Sequence, residues 1–187
     1  MGEYVWSGTM ATKTTITWDQ FVAAGVEGQK TEWVDGEILQ MSPVNFRHER
    51  ILWRLIALLA EYCRVHPEWV GLPSNAAYTM ASGNWRLPDA SLVHADRFAG
   101  GQYPVMADFA PEVAFEIHSP SDKPSEIQSK RKDYQQSGVV QVWIDPEKRL
   151  VELVYPDRPL EYFQESQVLI IATLPDFSLD LKDLFAI

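Results

Sequence analysis

The chain reads as a mixed α/β protein on three observations. Asp35-Gly36 stands between two alternating runs and marks a tight hairpin. Apolar residues recur at three- and four-residue intervals between Phe46 and Val65, the signature of an amphipathic helix. Beyond it, short strand-like runs surround one polar helical segment. The 187 residues suit one domain over 1–187, long enough to bury a core, with residues 1–9 expected to be a disordered extension. Hydrophobic residues at 46% and aromatics at 12% exclude a disordered or fibrous composition.

Taken in order, 17–24 predicts a short helix capped by Thr17. The hairpin follows as Thr31-Glu32-Trp33-Val34 and 37–41, N-terminal to the main body. Period-two alternation puts Glu32 and Val34 on one face and Trp33 on the other, so Glu32 is expected to face inward. In helix 46–65, His48 shares the side of Leu52 and Leu55, while Arg47, Arg50 and Arg54 lie to the flank. Residues 66–84, rich in Pro, Gly, Ser and Asn, predict a loop, a strand near 76–80 and a turn.

A strand is expected over 85–93, with Pro88 fixing its own φ, biasing Leu87 toward extension and creating an irregularity beside Asp89. A long connection, 94–111, leads to strand 113–118. Pro124 then opens a helix that Gly138 closes. On it Lys130 falls three residues after Ile127 and four before Tyr134 and leans toward the core, whereas Lys132 and Asp133 are expected to point elsewhere. Strands at 139–144 and 150–155 flank a turn at Asp145-Pro146-Glu147-Lys148, and a last strand near 168–173 precedes a short end segment.

A formal net charge of -10 disfavours broad attraction to a polyanion, so any nucleic-acid contact is expected to be local. The single cysteine, Cys63, permits no intramolecular disulfide, and cytoplasm is the default compartment. The longest apolar run, Leu55 to Ala60, falls well short of the roughly 20 residues of a membrane span. No membrane partner is expected, and residues 1–9 lack the features of a secretory signal.

Each of two apolar strand patterns carries one acid, Asp89 in the first and Glu116 in the second. Hydrolysis of a phosphodiester needs a hard divalent cation, and Mg²⁺ takes a few carboxylates with water and substrate in its remaining positions. Asp89 and Glu116 are the candidate metal ligands, with Lys130 to orient water or neutralise charge developing on the phosphate. Strand alternation aims His118 where Glu116 points. The bland alternatives make Asp89 a turn cap, Glu116 a satisfied buried acid, His48 a capping or packing residue and Lys130 a solvated surface group.

Pro88-Asp89 followed by Glu116-Ile117-His118 is similar to the PD-(D/E)xK motif of restriction-endonuclease-like nucleases, with His118 at the lysine position. Glu32-Trp33-Val34-Asp35-Gly36-Glu37, His48 at a helix start, Leu87-Pro88-Asp89, Glu116 to Asp122, Lys130 before Tyr134, Gly138-Val139 and Trp143-Ile144-Asp145-Pro146 together resemble the Uma-type endonuclease family over about 17–156. That resemblance implies a central mixed sheet flanked by helices. It also implies Asp89 and Glu116 as metal ligands, Glu32 and His48 as further site residues, and a lysine moved to the following helix at Lys130. His118 is then an accessory group for water or phosphate. The function expected is a Mg²⁺- or Mn²⁺-dependent endonuclease acting on DNA, with Arg47, Arg50, Arg54, Lys123, Arg131 and Lys132 as a basic rim that a homodimer would extend. The rival is an inactive nuclease-fold protein serving as a nucleic-acid-binding or protein-interaction module.

Overall fold

The Asp35-Gly36 turn forms with both residues at positive φ, 50° and 81°, as a two-residue hairpin of this hand requires. It joins β1 (Thr31–Val34) to β2 (Glu37–Gln40). A computed structural model describes Gln20, residues 30–40 and residues 45–186. The helix expected over 17–24 and the extension 1–9 therefore lie outside the described residues, Gln20 apart.

Helix α1 (Phe46–Val65) begins where Asn45 accepts the His48 N–H at 2.9 Å. It buries His48, Ile51, Leu55, Leu59 and Tyr62, a single stripe at helical spacing. Next come β3 (Trp69–Pro73), β4 (Tyr78–Thr79), β5 (Trp85–Arg86) and β6 (Ala90–His94). Strand β7 (Val113–Ile117) leads into α2 (Pro124–Gln136), which returns the chain to β8 (Val140–Asp145) parallel to β7. Strands β9 (Leu150–Val154), β10 (Glu161–Gln164), β11 (Val168–Ile170) and β12 (Ser178–Asp180) precede α3 (Leu181–Phe185).

The central sheet runs β10-β9-β8-β7-β6-β3 and is mixed, β7–β8 being its parallel pair. A smaller sheet runs β2-β1-β5-β4. On one face of the central sheet Val113, Phe115 and Ile117 pack with the α1 stripe and α3. On the other, Ala114 joins Tyr134 of α2, Tyr78 and Trp143. Alternation along β7 thus assigns Glu116 to the α2 face.

Four expectations need correction. The single strand over 85–93 is two strands in different sheets, because the chain changes sheet across Leu87-Pro88-Asp89. Strand β3 lies where a loop was expected. Pairing with β6 holds Gly71 in the strand, and Pro73 is tolerated on a sheet edge. Strand β10 was not expected, since its side chains are mostly exposed and carry no two-residue alternation. The last expected strand stops at Ile170, and the end segment holds β12 and α3. Among the described residues no helix is long and apolar enough to cross a membrane.

The α1 stripe separates core from surface within one helix turn. Leu55→Ala, at a fully buried position, should cost about 2–5 kcal/mol. Trp53→Ala, at a position 76% exposed, should stay within about 0.5 kcal/mol. Urea unfolding of both variants checks the contrast.

Candidate active site

Antiparallel pairing of Trp33 with Trp85 sets Glu32 directly across from Arg86. Both are buried, and Arg86 Nη1 donates to Glu32 Oε2 at 2.9 Å. The other carboxylate oxygen of Glu32 accepts the Leu87 N–H at 3.2 Å and lies 3.2 Å from Lys130 Nζ. Lys130 also donates to both oxygens of Glu116, at 3.2 and 3.1 Å, and Tyr134 donates its hydroxyl to Glu116 Oε1 at 2.6 Å. Lys130 is therefore buried between two sheets, and its expected lean toward the core is the observed one.

Asp89 sits at the change of sheet. Its Oδ2 accepts the Ile117 N–H at 2.9 Å, one residue beyond Glu116, and His48 Nε2 donates to the same oxygen at 3.1 Å. Oδ1 accepts from Lys30 Nζ at 2.8 Å. His48 is thus buried at the α1 start and holds Asp89 directly. Asp89 in turn fastens to the backbone of the strand that carries Glu116.

The electrostatics follow from this wiring. Burial opposes charge on Asp89, yet the His48 hydrogen bond and the Lys30, His48 and Lys130 charges hold its carboxyl far below the usual range. Burial likewise acts against Glu32, and Lys130 and Arg86 overcome it, leaving the carboxyl low. Glu116 goes the other way: burial raises its carboxyl, Lys130 only partly offsets this, and Asp89 adds repulsion. Burial would neutralise Lys130, but Glu116, Glu32 and Asp89 keep its ammonium charged, raised above the ordinary lysine value. His48 is raised as well, its Asp89 partner outweighing burial.

Sequence reasoning missed a second half of the network. Asp133 does not point elsewhere: it is buried, receives Arg86 Nε at 2.7 Å, and accepts from Ser82 at 2.8 Å and Asn84 at 3.1 Å. The signal was present, since Asp133 follows Lys130 by three residues and so shares its helix face. Arg86, at 0% exposure, has no comparable mark, because the break at Pro88 hides its strand phase. Lys30 also joins the cluster without having been singled out, and Tyr134, expected only as a spacing mark for Lys130, joins it through Glu116. His118 lies at the rim, its ring stacked on Trp143 at 5.5 Å and its Nδ1 3.6 Å from Asp122.

Most of the expected basic rim is already paired. Arg47 meets Glu147 at 2.6 Å, Lys123 meets Glu126 at 2.9 Å, Arg131 pairs with Glu152, and Arg54 donates to the Asp183 carbonyl at 2.8 Å. Among the described residues no three His, Cys, Asp or Glu side chains are grouped as a metal cage. The donor chemistry suits magnesium, which binds through one or two carboxylates and keeps water elsewhere. Asp89 and Glu116 are such a pair, and the raised Glu116 carboxyl marks a place where more positive charge is favourable.

A central mixed sheet flanked by helices, with two carboxylates near a change of sheet and a lysine from the neighbouring helix bound to one of them, defines a mixed α/β protein. The Uma2 family, described as putative restriction endonucleases, matches residues 18–182, and the chain belongs to it. The fold is similar to the crystal structure of a putative nuclease of the DUF820 group from Anabaena variabilis, with a TM-score of 0.81 and 20% identity over 91% of this chain and 98% of that one. No curated protein matches.

Removing the Lys130 ammonium leaves Glu32 and Glu116 facing each other in a buried site. Lys130→Met should destabilise the fold by about 3–5 kcal/mol, measured by urea unfolding. A loss below about 1 kcal/mol would show that solvent reaches this lysine freely.

Proposed function

We propose that the protein is a divalent-metal-dependent endonuclease that hydrolyses phosphodiester bonds in DNA, with Asp89 and Glu116 holding Mg²⁺ or Mn²⁺. The observation that carries this reading is the placement of these two carboxylates on either side of one backbone contact, Ile117 N–H to Asp89, beside a buried ammonium. A bound divalent cation supplies Lewis acidity at a phosphate and acidifies a nearby water.

The chain's own residues divide the rest of the task. Lys130 is held in its charged form, so it donates hydrogen bonds and stabilises developing negative charge, and it does not act as a base. Glu32 positions Lys130, and Arg86 positions Glu32. His48 orients the Asp89 carboxylate through Nε2. His118, stacked on Trp143 at the rim, is placed to meet a phosphate or its water. A second copy would enlarge a nucleic-acid surface on which Arg47, Lys123 and Arg131 are ion-paired within one chain.

The second reading is an inactive nuclease-fold module for nucleic acid or protein. The observation favouring it is the closed pairing of the site, in which Asp89 and Glu116 are both already engaged by lysine. Supercoiled plasmid and single-stranded DNA, incubated with EDTA, Mg²⁺ or Mn²⁺, separate the two. The nuclease reading expects cation-dependent cleavage, and Asp89→Ala or Glu116→Ala should lose more than the roughly 10–100-fold that an outer-shell change costs. Equal product from wild type and both variants refutes it.

A further inference from the structure

We propose that Lys30 is a resident counter-cation of Asp89 that must leave for a divalent ion to bind, making it a gate on metal loading. This rests on the reading of Asp89 and Glu116 as metal ligands. The geometry points to it first. Oδ2 of Asp89 already accepts from Ile117 N and His48 Nε2, at 2.9 and 3.1 Å. Oδ1 is the oxygen left to face a cation, and Lys30 Nζ occupies it at 2.8 Å. Two cations on one oxygen repel strongly where little water separates them.

Charge balance gives the second argument. Among the described residues, Asp89, Glu116, Glu32 and Asp133 are four buried carboxylates, bound by Arg86, Lys130 and Lys30 and, at Asp89, by His48 as well. A divalent ion adds two positive charges to this set, and release of Lys30 removes one of the three that lysine and arginine already supply.

Lys30 is also the basic chain able to go. Its side chain is 21% exposed against 9% for Lys130, its ion pair among the described residues is with Asp89, and it precedes the first paired residue of β1. Lys130 bridges two glutamates and Arg86 bridges Glu32 and Asp133, so moving either dismantles the site. A released Lys30 ammonium stays tethered near the metal, where a polyanionic substrate would meet it.

Two measurements test this together: calorimetric titration with Mn²⁺, and acylation of Lys30 by an N-hydroxysuccinimide ester followed by peptide mass spectrometry. Mn²⁺ should speed Lys30 acylation several-fold while leaving exposed Lys182 unchanged. Asp89→Asn should react fast at Lys30 without metal and gain nothing from it. Lys30→Met should bind Mn²⁺ on the order of tenfold more tightly than wild type. A heat of binding that Asp89→Asn and Glu116→Gln abolish, with Lys30 acylation in the wild type unchanged or slowed by Mn²⁺, overturns the gate and leaves the metal site standing. Absence of any Mn²⁺ heat in the wild type overturns both.

Discussion

Three parts of the molecule depend on one buried ammonium. Lys130 comes from α2, Glu116 from the central sheet and Glu32 from the small sheet, and the contacts at 3.1 to 3.2 Å join them at a single nitrogen. Taking such ions out of water costs several kcal/mol each, so the cluster persists only because every carboxylate finds a donor. Apolar packing would bring the same elements together with latitude in register. A lysine between two glutamates does not, because a shift of one residue along β1 would turn Glu32 to the opposite face and strand the charge.

The second tie repeats the design with less freedom. Arg86 spans Glu32 and Asp133 and hydrogen-bonds Ser129 at 2.6 Å, so its planar fork fixes β5 against α2. Glu32 is shared by both ties. A change in how α2 sits is therefore felt at β1 and then at Leu87, whose N–H bonds the same glutamate two residues before Asp89. The site geometry is coupled to helix docking through hydrogen bonds that have little tolerance in length or angle.

What was legible in the sequence was local. The Asp35-Gly36 hairpin, helix 46–65, and a helix opened by Pro124 and closed by Gly138 depend on residues within a turn or two of one another. Glu32 facing inward and Lys130 facing the core followed from simple periodicity. What failed was phase carried across a break. Running alternation through Pro88 made one strand of two and concealed that Arg86 and Asp89 serve different sheets. Asp133 was lost for a different reason: an acid on a polar helix is normally solvated, and only a buried arginine from a distant strand makes the inward position favourable. Strand β3 escaped because Gly71 and Pro73 are loop residues by propensity, and only pairing with β6 at the sheet edge makes a strand of them.

The lysine's place on a helix, with His118 at the strand end, has a structural consequence. A cation at position 118 would belong to the same strand as Glu116, and its presence would say nothing about whether the small sheet had docked. His118 instead stacks on Trp143 and approaches Asp122, both on the central-sheet side. Lys130 reaches Glu116 only when α2 is seated, and reaches Glu32 only when the hairpin is seated as well. Until both have happened, Glu116 lacks the lysine and tyrosine donors that the assembled site gives it. Docking of α2 and of the hairpin is thus recorded at one nitrogen, which a cation carried by the strand of Glu116 would not do.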